Sequence, residues 1–174
     1  MLRYLLRATA AGVVALLAGL LTAPSAQADI QTFADVGGHI TAVRVSHGPR
    51  TVGVTAFDAE MTLGTYYRFW IDTNSGDPGP EYRADVYPNS DGIYLTRVAN
   101  FASPGRIFRC RGLGAVANVF GEDYAKVVVP RSCIGTPSRV RVSVVAYYDE
   151  NNDNRIDVVD WAPGEARFYP WVNR

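Results

Sequence analysis

The sequence predicts an all-β fold, an antiparallel β-sandwich of the jelly-roll or immunoglobulin-like kind, and three observations carry that reading. Apolar and polar residues alternate with a period of two through much of the chain after residue 28, the pattern of strands with one buried face. Turn-forming residues recur at short intervals, at Gly48-Pro49, Asp77-Pro78-Gly79-Pro80, Asp91-Gly92, Pro104-Gly105 and Pro163-Gly164. No window after residue 28 sustains a helical period.

Taken in order, the first residues stand apart. Arg3 and Arg7 supply a positive start, residues 8–21 are almost wholly apolar, Pro24 breaks any helix, and Ala26 and Ala28 place small residues at −3 and −1 of a cut. That order of regions is a secretory signal peptide, and the apolar run falls short of the roughly 20 residues a membrane span needs. The expectation is a cleaved leader over 1–28, a secreted product, and one sandwich domain over 29–174. Without Arg3 and Arg7, 15 basic residues face 17 acidic ones, which provides no basic stripe for nucleic acid.

The strands follow. Thr41, Val43 and Val45 alternate with Ala42, Arg44 and Ser46, and after Gly48-Pro49 the pattern resumes at Val52, Val54 and Ala56, predicting a hairpin. Tyr67, Phe69 and Ile71 point to one face, Tyr66, Arg68 and Trp70 to the other. Tyr82, Ala84 and Val86 oppose Glu81, Arg83 and Asp85; further runs lie at 93–98, 115–120 and 124–129. Val140, Val142, Val144 and Ala146 alternate with Arg139, Arg141, Ser143 and Val145. The two cysteines, Cys110 and Cys133, read as one disulfide in an oxidising exterior, because they form neither a Cys-x-x-Cys nor a basic helix start.

One loop has the donors of a calcium site. On a twelve-position EF-hand template, Asp149, Asn151, Asp153, Asp157 and Asp160 fall at 1, 3, 5, 9 and 12, Arg155 at 7 offers its carbonyl, and Ile156 at 8 is the apolar anchor. Ca²⁺ takes six to eight oxygens, and alternate carboxylates on a tight loop converge on one point. Asn154 replaces the usual Gly, and Asp160 the usual Glu, as in the dockerin-type loops this stretch resembles. The competing reading is a solvated acidic turn, since Asp and Asn are common turn residues. A second acidic turn, Asp72-Thr-Asn74-Ser-Gly-Asp77, has too few ligands to hold a metal alone; sharing a site with the first loop would require both at one end of the sandwich.

Aromatic residues supply the other candidate surface. Tyr66 and Trp70 share the polar-facing side of their strand, and Trp161 and Trp171 flank the C-terminal turns. Exposed flat rings stack on sugar faces; the alternative is that large rings close the ends of the core. Catalysis has little to stand on. His39 and His47 have no metal-ligand spacing, Ser46 and His47 point to opposite faces of a strand, and no nucleophile elbow, phosphate loop or His-Glu-x-x-His occurs.

Several short motifs carry a resemblance. Asp72-Thr-Asn with Gly76-Asp-Pro-Gly-Pro-Glu-Tyr-Arg83, Val129-Pro-Arg-Ser-Cys133, Asp160-Trp-Ala-Pro-Gly164 and Pro170-Trp-Val172 resemble a group of small secreted actinobacterial proteins of unknown function. At fold level that group is similar to the DOMON-like and family-9 carbohydrate-binding-module sandwiches, which implies sugar or small-ligand binding. Haem ligation in the DOMON manner lacks its Met/His axial pair. The expectation is thus a secreted, non-catalytic ligand-binding sandwich, carbohydrate first among its ligands, with Ca²⁺ in the loop. An envelope-associated protein-interaction module is the alternative, and a small hydrolase the third.

Overall fold

The computed structural model describes residues 28–88, 92–149, 151, 153 and 155–174. Residues 1–27 of the predicted leader, Asp91 and Asn154 therefore lie outside the described residues. Among the described residues, twelve strands build two antiparallel sheets. They are β1 (Asp29–Ala34), β2 (Ile40–His47), β3 (Thr51–Asp58), β4 (Tyr66–Asp72), β5 (Tyr82–Val86), β6 (Tyr94–Arg97), β7 (Arg106–Phe108), β8 (Gly114–Asn118), β9 (Tyr124–Pro130), β10 (Arg139–Tyr148), β11 (Val158–Ala162) and β12 (Val172–Asn173). One sheet runs β1-β2-β3-β9-β8; the other runs β11-β10-β4-β5-β6-β7, with β12 pairing beside β10.

The expected alternation fills the space between the sheets. Val43 and Val45 of β2, Val52 and Val54 of β3, Val127 and Val129 of β9, Tyr67, Phe69 and Ile71 of β4, and Val140, Val142 and Val144 of β10 are all fully buried in one core. The predicted hairpin is β2–β3, turned through Gly48, whose N–H donates to the Thr51 carbonyl at 2.9 Å. A strand beginning at Asp29, β1, adds an edge to this hairpin through six register pairs. Cys110 and Cys133 form the disulfide, tying the β7–β8 crossover to a 3-10 turn, Arg131–Ile134, that follows β9.

The larger sheet departs from a simple apolar-in, polar-out plan. Trp70 of β4 and Ser143 and Val145 of β10 have the outward parity, yet all three are buried. Segments on either side of the sheet fold over them: Phe101 after β6 and Phe168 before β12 close a second, smaller cluster with Trp70, Val98 and Val145. Burying apolar area explains the cover, since Trp70 left open would expose one of the largest apolar surfaces in the chain.

The connectivity puts five loops at one end of the sandwich: 35–39, 59–65, 87–93, 119–123 and 149–157. That end is held together across the sheets by Asp58 at the close of β3, whose Oδ2 accepts the hydroxyls of Tyr67 and Tyr148. Both phenols are shifted above their ordinary pKa, first by burial and then by the Asp58 carboxylate. The opposite end carries the turns 48–50, 73–81, 98–105 and 131–138.

Candidate functional site

Strand β10 delivers Asp149 to the five-loop end, and the loop that follows turns back on itself through local hydrogen bonds. Asp153 N–H donates to Asp149 Oδ1 at 3.0 Å, Arg155 N–H to Asp153 Oδ1 at 2.9 Å, and Asn151 Nδ2 to Asp157 Oδ2 at 3.2 Å. The result gathers one carboxylate oxygen each from Asp149, Asp153 and Asp157 within 4.8 Å of one another. Oxygens sharing a Ca²⁺ at 2.3–2.6 Å stand no more than about 5 Å apart, so these three have a compatible spacing.

The rest of the predicted ligand set is placed differently. Strand β11 begins at Val158, so Asp160 is already a strand residue, in register with Ala146. Its carboxylate accepts the Ile40 N–H at 2.8 Å and bridges β11 to β2, away from the three clustered aspartates. Glycine at position 38 permits that approach: a β-carbon there would stand 2.1 Å from Asp160 Oδ1. Ile156, expected as the anchor, is exposed instead of packed in the core. The twelve-position template fails at its end because β10–β11 pairing closes the loop early.

The second acidic turn lies at the opposite end. Asp72 pairs in register with Arg141, and Asp149 lies eight residues further along β10, roughly 25 Å away at strand spacing. The two turns therefore do not share a site. Asp72 is fully buried; its Oδ2 accepts from Arg141 at 2.6 Å and its Oδ1 from Asn74 N–H at 2.9 Å. Burial raises its pKa against the opposing pull of those partners.

Of the four expected sugar-stacking rings, Trp70 and Tyr66 are covered by the protein itself, while Trp161 and Trp171 are partly buried. Trp70 is 1% exposed, with Phe101 edge-on at 5.2 Å. Tyr66 stands between Tyr147, stacked at 4.4 Å from the β10 side, and Tyr87, stacked at 5.2 Å from the β5 side. Both faces of Tyr66 are thus covered, and burial followed by Tyr147 lifts its pKa to about 12. Trp161 meets Phe101 edge-on at 5.9 Å, and Trp171 lies beneath Arg139 and Arg141 at 4.8 and 4.7 Å. The strand parity that marked Tyr66 and Trp70 as outward was right; what lies over that face was not visible in it.

Sequence reasoning missed a groove on the outer face of the five-stranded sheet, a concavity of about 410 Å³. Its floor is Ala42 with Phe57, neighbours in the β2–β3 register, and its wall is the β8–β9 turn at Gly121–Asp123. The Arg44 guanidinium lies 4.7 Å over the Phe57 ring while its Nε reaches Thr32 Oγ1 at 3.4 Å. Thr41, Asp58, Glu122 and Asp123 complete the lining. The available signal was the outward parity of Arg44 and of Phe57, one on each strand of the predicted hairpin. His39 and His47 flank opposite ends of β2, roughly 25 Å apart at strand spacing.

In comparisons with known proteins, no family model matches the chain, and no curated protein matches it. The fold and these sites define an all-β sandwich with one disulfide.

Proposed function

We propose that the protein is a secreted, non-catalytic binding module that takes a carbohydrate in the groove over Phe57, with a structural Ca²⁺ at Asp149, Asp153 and Asp157. The observation that carries the reading is the Arg44–Phe57 pair. The guanidinium held over the Phe57 ring presents a planar fork of donors, and Ala42 and the uncovered part of the ring beside it supply apolar surface. Thr32, Thr41, Glu122 and Asp123 around it supply hydroxyl and carboxylate partners. Sugars need this combination, an apolar patch for their C–H face and a rim that both donates and accepts.

Calorimetric titration with a panel of soluble oligosaccharides, together with partition onto insoluble polysaccharides, tests the groove. The expected result is a saturable interaction near 10⁻⁴ M, about 5.5 kcal/mol, weakened at least ten-fold by Arg44→Ala or Phe57→Leu. Absence of binding across the panel, or binding indifferent to both substitutions, overturns the groove as the site.

A further inference from the structure

The five-loop end carries an unusual pairing of apolar tips and negative charge. Each of its loops exposes one large apolar side chain: Val36 at 93%, Leu63 at 58%, Tyr87 at 40%, Phe120 at 83% and Ile156 at 50%. Among the described residues, the turns 48–50, 73–81, 98–105, 109–113 and 131–138 expose none of that size. Charge divides along the same axis. The described residues of the five loops include seven carboxylates and a single arginine, Arg155, whereas the four opposite turns hold two arginines and two carboxylates, and the β7–β8 crossover, tied to them by the disulfide, adds Arg109 and Arg111. Isolated exposed apolar residues are ordinary; five on separate loops, converging on one end, are the composition of an interaction surface.

We propose that this end docks a protein partner whose apolar patch is bordered by lysine and arginine. Complementarity selects that occupant. The apolar tips stand among carboxylates, of which Asp35, Glu60, Glu122 and Asp123 lie outside the calcium cluster, and a cationic rim would neutralise these and be steered towards contact. An anionic lipid surface meets the same carboxylates as repulsion. A second copy of this chain offers Arg50 and the crossover arginines with only the strand residues Ile30 and Ile107 as exposed large apolar side chains near them, so a head-to-tail contact would leave most of the tips unmatched. The surface shares loop 119–123 with the groove over Phe57, but the groove lining contains none of the five tips.

The probe is a synthetic amphipathic helix of leucine and lysine, compared with its leucine–glutamate counterpart, by fluorescence anisotropy against the purified protein. The lysine helix should bind, more weakly as salt rises, and the glutamate helix should not. Replacing Leu63→Ser and Phe120→Ser together should weaken binding at least ten-fold, while the melting temperature of this surface variant stays near that of the parent. Equal affinity of variant and parent would reduce the contact to charge alone and overturn the proposal, as would no binding of the lysine helix. Flotation with phosphatidylcholine or phosphatidylglycerol vesicles that the double substitution abolishes would assign the tips to a bilayer instead. Concentration-dependent dimers in sedimentation, lost with the same substitutions, would assign them to a second copy.

Discussion

At the scale of single residues, Trp70 lies on the outer face of the larger sheet and is 1% exposed. Trp70, Ser143 and Val145 share the solvent-side parity of their strands, but Phe101 and Phe168 arrive from distant parts of the chain to bury the cluster. His47 shows the reverse case: its inward parity with Val43 and Val45 was legible, and it is fully buried. Its Nδ1 lies 3.3 Å from the Val172 carbonyl of β12. Burial lowers its pKa below the usual 6.5, and the positive charges of Arg131 and Arg174 add to that. The unfolded chain therefore takes up the proton first as pH falls. The stability His47 contributes is complete above about 6.5 and is lost on descent towards its folded-state pKa, with a limiting slope of about 1.4 kcal/mol per pH unit. Urea unfolding of the parent and of His47→Gln at pH 7.0 and 5.5 checks this: the parent should lose more stability between the two than the variant. An equal loss would assign the acid sensitivity to other groups.

At the scale of elements, the β10–β11 connection decides what the acidic loop can hold. Pairing of Tyr148 with Val158 closes the loop before the twelve-position template ends, leaving Asp149, Asp153 and Asp157 together and Asp160 on the sheet. A set with three carboxylates has fewer ligands than the six-position template and favours the weak end of calcium affinities, about 10⁻⁴ to 10⁻³ M. For a site of 10⁻⁴ M, 10 mM Ca²⁺ stabilises the native state by about 2.7 kcal/mol through mass action. That corresponds to a rise of roughly 5–10 °C in melting temperature relative to chelator. The rise should vanish in Asp153→Ala and persist in Asp160→Asn, which keeps a carbonyl oxygen for the Ile40 N–H. Melting curves that coincide with and without Ca²⁺ would leave the loop a hydrogen-bonded acidic turn.

At the scale of the whole molecule, the disulfide and the charge division act over the longest distances. Cys110 and Cys133 close a sequence separation of 23 residues, and limiting the unfolded chain in this way is worth about 3 kcal/mol on the chain-entropy account. Replacing both cysteines with serine should lower the unfolding free energy by about that amount in urea titration while the far-ultraviolet spectrum keeps its β-sheet form. A loss under 1 kcal/mol would show that β-sheet pairing and the core already restrain this crossover. The segregation of carboxylates from arginines leaves a net charge near neutrality while polarising the sandwich end to end. Such a field orients an approaching charged partner before contact is made.

The longer strands, most of their inward residues, the main hairpin and the disulfide were determined by the sequence, because alternation, turn chemistry and cysteine pairing are local or nearly local constraints. The short strands β1, β7, β11 and β12 and the outward turn of Thr41 at the β2 bulge were not. Val140 to Ala146 could be assigned a buried face without knowing what packs there, since hydrophobic burial requires only that the face be covered. What covers the opposite face, where a loop ends, and which turns share an end depend on pairings between distant segments. Tertiary structure alone turned Asp160 towards Ile40, sealed Tyr66 between Tyr147 and Tyr87, separated Asp72 from Asp149, and set Arg44 over Phe57. Each of those outcomes follows from strand register or from a crossing between sheets. A one-residue change in register would redirect every side chain involved.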